Sequence, residues 1–184
     1  MRVGLKFIFL SHLNIMTTRL MNQDVTLHFF CGKMASGKST LAKVIAKENN
    51  AILISEDAWL SQLYSEEIHN FSDYIKYSSR LKSVLLPHIQ NLLSQDISVV
   101  LDFPGNTPSQ RQWFRSIFES VKVNHLLHSI VASNELCKQQ LKIRSQNLPK
   151  SSSFTTEAEF EAITQYFQPP KPEENFNIKI YQRD

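Results

Sequence analysis

The residues best suited to chemistry are contiguous: Gly32-Lys33-Met34-Ala35-Ser36-Gly37-Lys38-Ser39. They fit the pattern G-x-x-x-x-G-K-[ST] at every fixed position, with Thr40 next in line. That pattern binds phosphate for a physical reason. The glycines let successive backbone N–H groups turn inward, and a helix N-terminus adds the positive end of its dipole. Lys38 reaches the β- and γ-phosphates in such an arrangement, and the Ser39 hydroxyl helps to hold Mg²⁺. The chain contains four glycines, Gly4, Gly32, Gly37 and Gly105. Two of them fall in this loop, where backbone must approach a ligand closely.

Three carboxylates and three arginines join the candidates. Asp102 follows Ser98-Val99-Val100-Leu101, the context of a carboxylate that serves Mg²⁺ directly or through water. Asp57 and Glu56 follow the apolar run Ala51-Ile52-Leu53-Ile54-Ser55. Either could accept the proton of an attacking hydroxyl, and Asp57 is preferred. Phosphoryl transfer also needs positive charge on the group in flight. Arg144, just before a serine-rich stretch, and Arg111, in the helix after Asp102, are the preferred sources, ahead of Arg80.

These residues must be positioned by alternating strands and helices. Val25–Cys31 reads as a buried strand, and Ser39–Asn49 as a helix with Leu41, Val44 and Ile45 inward. Ala51–Ser55 is a second strand. Residues 59–71 mix helix and loop. Asp73–Ser94 is a helix whose face is Leu81, Val84, Leu85, Ile89, Leu92 and Leu93, and Pro87 is expected to kink or split it. Ile97–Leu101 is a third strand, and Phe103–Pro108 a loop. Ser109–Val121 is a helix burying Trp113, Phe114, Ile117 and Phe118. Val123–Ala132 is a fourth strand, on which His125 and His128 face opposite ways. Ser133 caps a helix ending near Arg144. Asn147–Thr155 has the profile of a mobile loop, and Thr156–Glu159 is a capping box opening a helix with Phe160, Ile163 and Phe167 on one face. Phe176–Tyr181 is a last strand. This alternation predicts an α/β sandwich with a mainly parallel sheet. In such a sheet, ligands gather beyond the carboxyl ends of the strands.

Composition bounds the rest. At 184 residues, one domain is expected. Twenty basic and seventeen acidic residues give a net charge of +3, which suits a phosphorylated ligand without demanding nucleic acid. Cys31 and Cys137 form no metal-ligand spacing and read as buried thiols. Arg2 and Lys6 precede the short apolar run Phe7–Leu10, too short for a signal peptide and followed by no cleavage site. Residues 1–21 are expected to be an appendage outside the core, with the functional domain over 22–184. No stretch approaches a membrane span, and a cytoplasmic location is expected.

With these residues in view, the chain resembles the P-loop kinase superfamily. It is most similar to the branch of small AAA-type, zeta-toxin-like, chloramphenicol-phosphotransferase-like and polynucleotide-kinase-like proteins. The resemblance covers about Val25 to Tyr181 and rests on Gly32–Ser39, on Asp57, and on Leu101-Asp102 with Asn106-Thr107 and Arg111. Leu141-Lys142-Ile143-Arg144 and the closing Pro169–Glu174 complete it. It implies a three-layer sandwich with a five-stranded parallel sheet in the order 2-3-1-4-5, with ATP and Mg²⁺ as cofactors. It also implies a substrate-binding helical insert over about 57–95 and a lid over about 145–155. One departure is Gln140, where many relatives carry a further arginine.

Three functions compete. The leading one is a kinase passing the γ-phosphoryl group of Mg-ATP to a hydroxyl of a small molecule. A kinase for nucleic-acid ends would need a basic groove with stacking aromatics, and the near-balanced charge disfavours it. A nucleotide-hydrolysing switch is the third. Asp102-Phe103-Pro104-Gly105 matches the D-x-x-G of GTPases, but no N-K-x-D follows anywhere in the chain.

Overall fold

The computed structural model of the protein describes residues 25–146 and 156–184. The expected appendage at 1–21 and most of the expected lid, residues 147–155, lie outside the described residues. Five strands form one sheet: β1 (Thr26–Cys31), β2 (Ile52–Ser55), β3 (Val99–Pro104), β4 (Asn124–Ala132) and β5 (Ile178–Arg183). Their order is β2-β3-β1-β4-β5, and every pairing is parallel. Between them run helices α1 (Lys38–Glu48), α2 (Glu56–Leu63), α3 (Phe71–Ser94), α4 (Pro108–Val121), α5 (Asn134–Ser145) and α6 (Glu157–Thr164). No helix among the described residues is long and apolar enough to cross a membrane.

The central strands are apolar on both faces because helices cover both. Leu27, Phe29 and Cys31 of β1, with Val99, Leu101 and Phe103 of β3, pack against Leu81, Leu85, Phe114 and Ile117 of α3 and α4. On the other face, Phe30 and Val100 meet Ala42, Ile45 and Ala46 of α1. Burying apolar surface stabilises by about 25 cal/mol per Å², and β1 is buried over its last five residues.

Several boundaries and faces differ from the sequence expectation. Val44 is 45% exposed and Val84 is 70% exposed. The buried line of α3 is Ser78, Leu81, Leu85, Ile89 and Leu93. Valine raised both sites in the apolar pattern, but the helix phase turns them to solvent. Pro87 does not split α3, which runs unbroken through it. Pro87 and Ser83 lie on the exposed side. Water can therefore serve the Ser83 carbonyl that loses its partner. Strand β3 continues to Pro104 and β5 to Arg183, each beyond its expected end. Trp113 is half-buried, with its ring on Phe103 and Phe114.

The two histidines of β4 do face opposite ways. His125 stacks on Phe118 with ring centroids 3.9 Å apart. His128, 1% exposed, faces the α1 side, where its Nε2 lies 3.1 Å from Nδ1 of His28. His128 Nδ1 lies 2.8 Å from the Tyr181 hydroxyl. A polar chain thus crosses β1, β4 and β5 inside the protein. Burial lowers His28 to a pKa of about 4 and His128 to about 3. Both rings are neutral in the folded protein near pH 6.5, where the unfolded chain begins to protonate them. The unfolded state therefore binds more protons between about pH 6.5 and pH 4, and stability falls as pH is lowered through that window. Each ring contributes a slope of at most about 1.4 kcal/mol per pH unit. Urea denaturation from pH 7 to pH 4.5 is expected to show this loss in the wild type. The double variant His28→Gln, His128→Gln is expected to lose less. An equal slope in both proteins would assign the acid sensitivity elsewhere.

Candidate functional site

The loop from Gly32 to Gly37 joins the carboxyl end of β1 to the start of α1, in the middle of the sheet. Its backbone is shaped by left-handed residues, Ala35 at φ 58° and Gly37 at φ 96°. A Cβ at Gly32 would come within 2.7 Å of the Ser36 hydroxyl and 3.0 Å of the Ile130 carbonyl, so only glycine fits there. The Gly32 N–H donates to Asn106 Oδ1 at 3.0 Å. The Ser36 N–H donates to the Lys33 carbonyl at 3.2 Å. Met34 and Ala35 pack on a small cluster of Ala132, Cys137, Leu141 and Phe160, which fixes the outer wall of the loop. Lys33 does not face the cavity. Its ammonium donates to Asn134 Oδ1 at 2.6 Å and to the Ala132 carbonyl.

Lys38 curls back over the loop and donates to the carbonyls of Gly32 and Lys33 at 2.7 and 2.8 Å. Burial lowers its pKa, while the charges of Asp102 and Asp57 oppose that shift. Helix α1 takes no side-chain cap, so the N–H groups of Lys38, Ser39 and Thr40 open toward the loop. The Ser36 hydroxyl is 2% exposed and has no hydrogen-bond partner. Uncapped donors, an orphaned hydroxyl and a half-buried ammonium hydrogen-bonded to neutral carbonyls fit a bound polyanion.

Asp102, on β3 beside β1, bridges two hydroxyls. Ser39 Oγ donates to Oδ1 and Ser55 Oγ to Oδ2, each at 3.2 Å. No group of three or more His, Cys, Asp or Glu among the described residues could hold a metal alone. A hydroxyl and a carboxylate side by side instead suit Mg²⁺, which takes few protein oxygens and fills its octahedron with water and phosphate.

Glu56 and Asp57 open α2 at the end of β2, and the structure separates them. Glu56 is 1% exposed, with its carboxylate fully engaged. Tyr74 donates to Oε2 at 2.7 Å, Ser78 to Oε1 at 2.6 Å, and Lys82 lies 3.3 Å from Oε1. Asp57, one residue on, is exposed at the start of α2. Its pKa is raised by desolvation first, then by the charges of Glu56 and Asp102; Lys38 and Arg144 pull it back. Asp57, Asp102, Lys38 and Arg144 therefore share one electrostatic neighbourhood. Arg144 lies exposed in the last turn of α5.

Arg111 corrects the sequence expectation. It is fully buried and committed to an ion pair. Nε and Nη2 donate to the two Glu174 oxygens at 2.7 and 2.8 Å, and Nη1 donates to the Gly105 and Gln168 carbonyls at 2.8 and 2.9 Å. Its charge is matched by Glu174 and four of its five N–H donors are engaged, so it supports the floor of the site.

Two contributors escaped the sequence reading. Ser55 belonged to the expected strand but not to the expected site. Arg183 Nη1 donates to the Ser36 carbonyl at 2.9 Å. The signal for Arg183 was its place at the carboxyl end of a parallel strand, missed because β5 was expected to end at Tyr181.

A family model described as an AAA domain, AAA_33, matches residues 27–170. No curated protein matches the chain significantly. Among solved structures, a Chloroflexus aurantiacus protein provisionally assigned as a kinase aligns with a TM-score of 0.67 at 15% identity, over 87% of this chain and 89% of its own. Kti12 from Chaetomium thermophilum, solved with ADP-AlF3, aligns at 0.62 and 17% identity, over 86% and 89%. The APS kinase CysC of Mycobacterium tuberculosis, solved with AMPPNP and APS, aligns at 0.56 and 15% identity, over 89% and 91%. At these identities the likeness is one of fold.

The contrast between the two neighbouring carboxylates predicts opposite stability effects. Glu56→Ala strands Lys82, Tyr74 and Ser78 and is expected to cost about 3 kcal/mol. Asp57→Asn is expected to leave the protein as stable as wild type at pH 7, or more so. The sign follows from its raised pKa: the folded state holds its proton more tightly than the unfolded chain, so stability falls as pH rises through that window. Asparagine removes that cost. Urea denaturation of both variants checks this, and a large loss for Asp57→Asn would mean that the carboxylate is a structural partner.

Proposed function

The chain belongs to the AAA_33 family of AAA domains, and from that premise we propose that it is an ATP-dependent phosphotransferase acting on a hydroxyl of a small molecule. The observation that carries this reading is the arrangement of Asp57. It is an exposed carboxylate just past the carboxyl end of β2, within the electrostatic reach of Asp102 and Lys38, beside a neighbour that is wholly engaged in structure. A group of that kind suits proton acceptance from an attacking hydroxyl.

In this reading the first-turn N–H groups of α1 and Lys38 hold the β- and γ-phosphates of ATP. Ser39 and Asp102 hold Mg²⁺. Bound Mg-ATP supplies the transferable phosphoryl group. Asp57 takes the proton of the acceptor hydroxyl as its oxygen bonds to phosphorus, and ADP leaves. Arg144 offers positive charge from the α5 side. The acceptor enters over α2 and α3, where Trp59, Leu63, Phe71 and Ile75 are exposed. Kinases among the fold neighbours support the class of reaction, and their acceptors remain theirs.

A second reading, ATP hydrolysis without an acceptor, draws on one observation. Arg111 is consumed by Glu174, and position 140 is glutamine, which leaves fewer cations for the group in flight. ATP loss measured with and without each of a panel of hydroxylated acceptors separates the two. Stimulation by one acceptor supports the kinase, and constant loss supports the hydrolase.

Lys38→Ala is expected to abolish ATP turnover while leaving the circular dichroism unchanged. Asp57→Asn is expected to depress transfer by about 10²–10⁴-fold with ADP affinity nearly unchanged. Asp102→Asn is expected to shift the Mg²⁺ dependence to higher concentration. Steady-state assays over a Mg-ATP titration report all three, and wild-type transfer by Asp57→Asn would move the base elsewhere.

A further inference from the structure

Arg183 stands at the carboxyl end of β5, beside Ala132 in the β4 register. Its guanidinium rests on the phosphate loop. Nη1 donates to the Ser36 carbonyl at 2.9 Å, and a Cβ placed on Gly37 would overlap the same group. Gly37 is the N-cap of α1, so the guanidinium touches the rim of the anion cradle. The contrast with Arg111 is informative. Arg111 is buried and neutralised by Glu174, whereas Arg183 is exposed, and among the described residues no carboxylate forms a salt bridge with it. Lys33, Lys38 and Arg183 thus bring three positive charges to one loop, beside the orphaned Ser36 hydroxyl. A bound anion would lower the cost of gathering these charges on one loop.

We propose that Arg183 is a phosphate-contacting residue of this site: its guanidinium keeps the Ser36 carbonyl and turns its remaining donors to the polyphosphate in the loop. The proposal rests on the loop's holding such a group. Arginine suits the dual task because its planar fork can serve a carbonyl and a phosphate oxygen together. A lysine in its place would retain the charge without the fork.

The test uses the full chain, with inorganic tripolyphosphate and ADP as probes in isothermal titration at several salt concentrations. Arg183→Gln is expected to weaken both ligands by about tenfold to hundredfold, since a hydrogen bond to a charged group is at stake. The dependence of affinity on salt is also expected to flatten. Arg183→Lys is expected to keep the salt dependence and recover part of the affinity. Unfolding temperatures of the ligand-free variants identify any that fail to fold. Unchanged tripolyphosphate affinity in Arg183→Gln would overturn the proposal, as would a loss with the salt dependence intact, which marks a role in loop shape alone. If wild type binds tripolyphosphate and not ADP, the nucleotide reading fails while the Arg183 comparison still decides this one. If wild type binds neither, both fall.

Discussion

A buried cation must be paired and hydrogen-bonded, and the phosphate loop depends on how Arg111 meets that demand. Glu174 supplies the charge, and the Gly105 and Gln168 carbonyls accept from Nη1. Those contacts fix the segment after β3. Gly105 in turn donates to the Phe30 carbonyl at 2.9 Å, so close that a Cβ there would meet the same oxygen at 2.6 Å. Asn106, next along, accepts from Gly32 and carries a carbonyl that accepts from Gln168 at 2.8 Å. The backbone of the loop is thus set by a chain of short polar contacts that begins at one arginine and ends under the phosphate cradle.

The sheet order divides the site by charge. Strands β2 and β3, on one side of β1, bring Asp57 and Asp102. Strands β4 and β5, on the other, bring the anchor of Lys33 and Arg183 itself. Lys38 sits on the boundary and feels the charges of Asp102 and Asp57. A ligand with a negative tail and a reactive end at a metal would align along that gradient.

The architecture was legible because its signals were long and periodic. Five apolar runs separated by helical patterns led to the parallel sheet, and the capping box at Thr156 formed with the bonds its sequence encodes. The loop was legible because its spacing is a backbone requirement. What the sequence could not give was pairing across distance. Nothing local to Arg111 points to Glu174, 63 residues away, so a buried ion pair read as a free catalytic charge. Glu56 and Asp57 look alike in sequence, and only the return of α3 with Tyr74 and Ser78 tells them apart. Val44 and Val84 failed for a simpler reason: an apolar residue in a helix is not obliged to be inside.

The position of β1 in the sheet also bears on how the protein is made. Among the described residues it is the first strand in sequence and the central one in space, and its partners come late: Leu27 pairs with Val99 on one side and His125 on the other. A nascent chain that has reached the end of α3 holds a highly apolar strand with nothing to pair against. The loop closures it awaits are long, and entropy makes such contacts slow. The cradle therefore takes shape only when most of the polypeptide has been synthesised, and Arg183 is set against it later still. Until then Phe29, Phe30 and Cys31 are an exposed, β-prone run, the natural segment for a chaperone to hold.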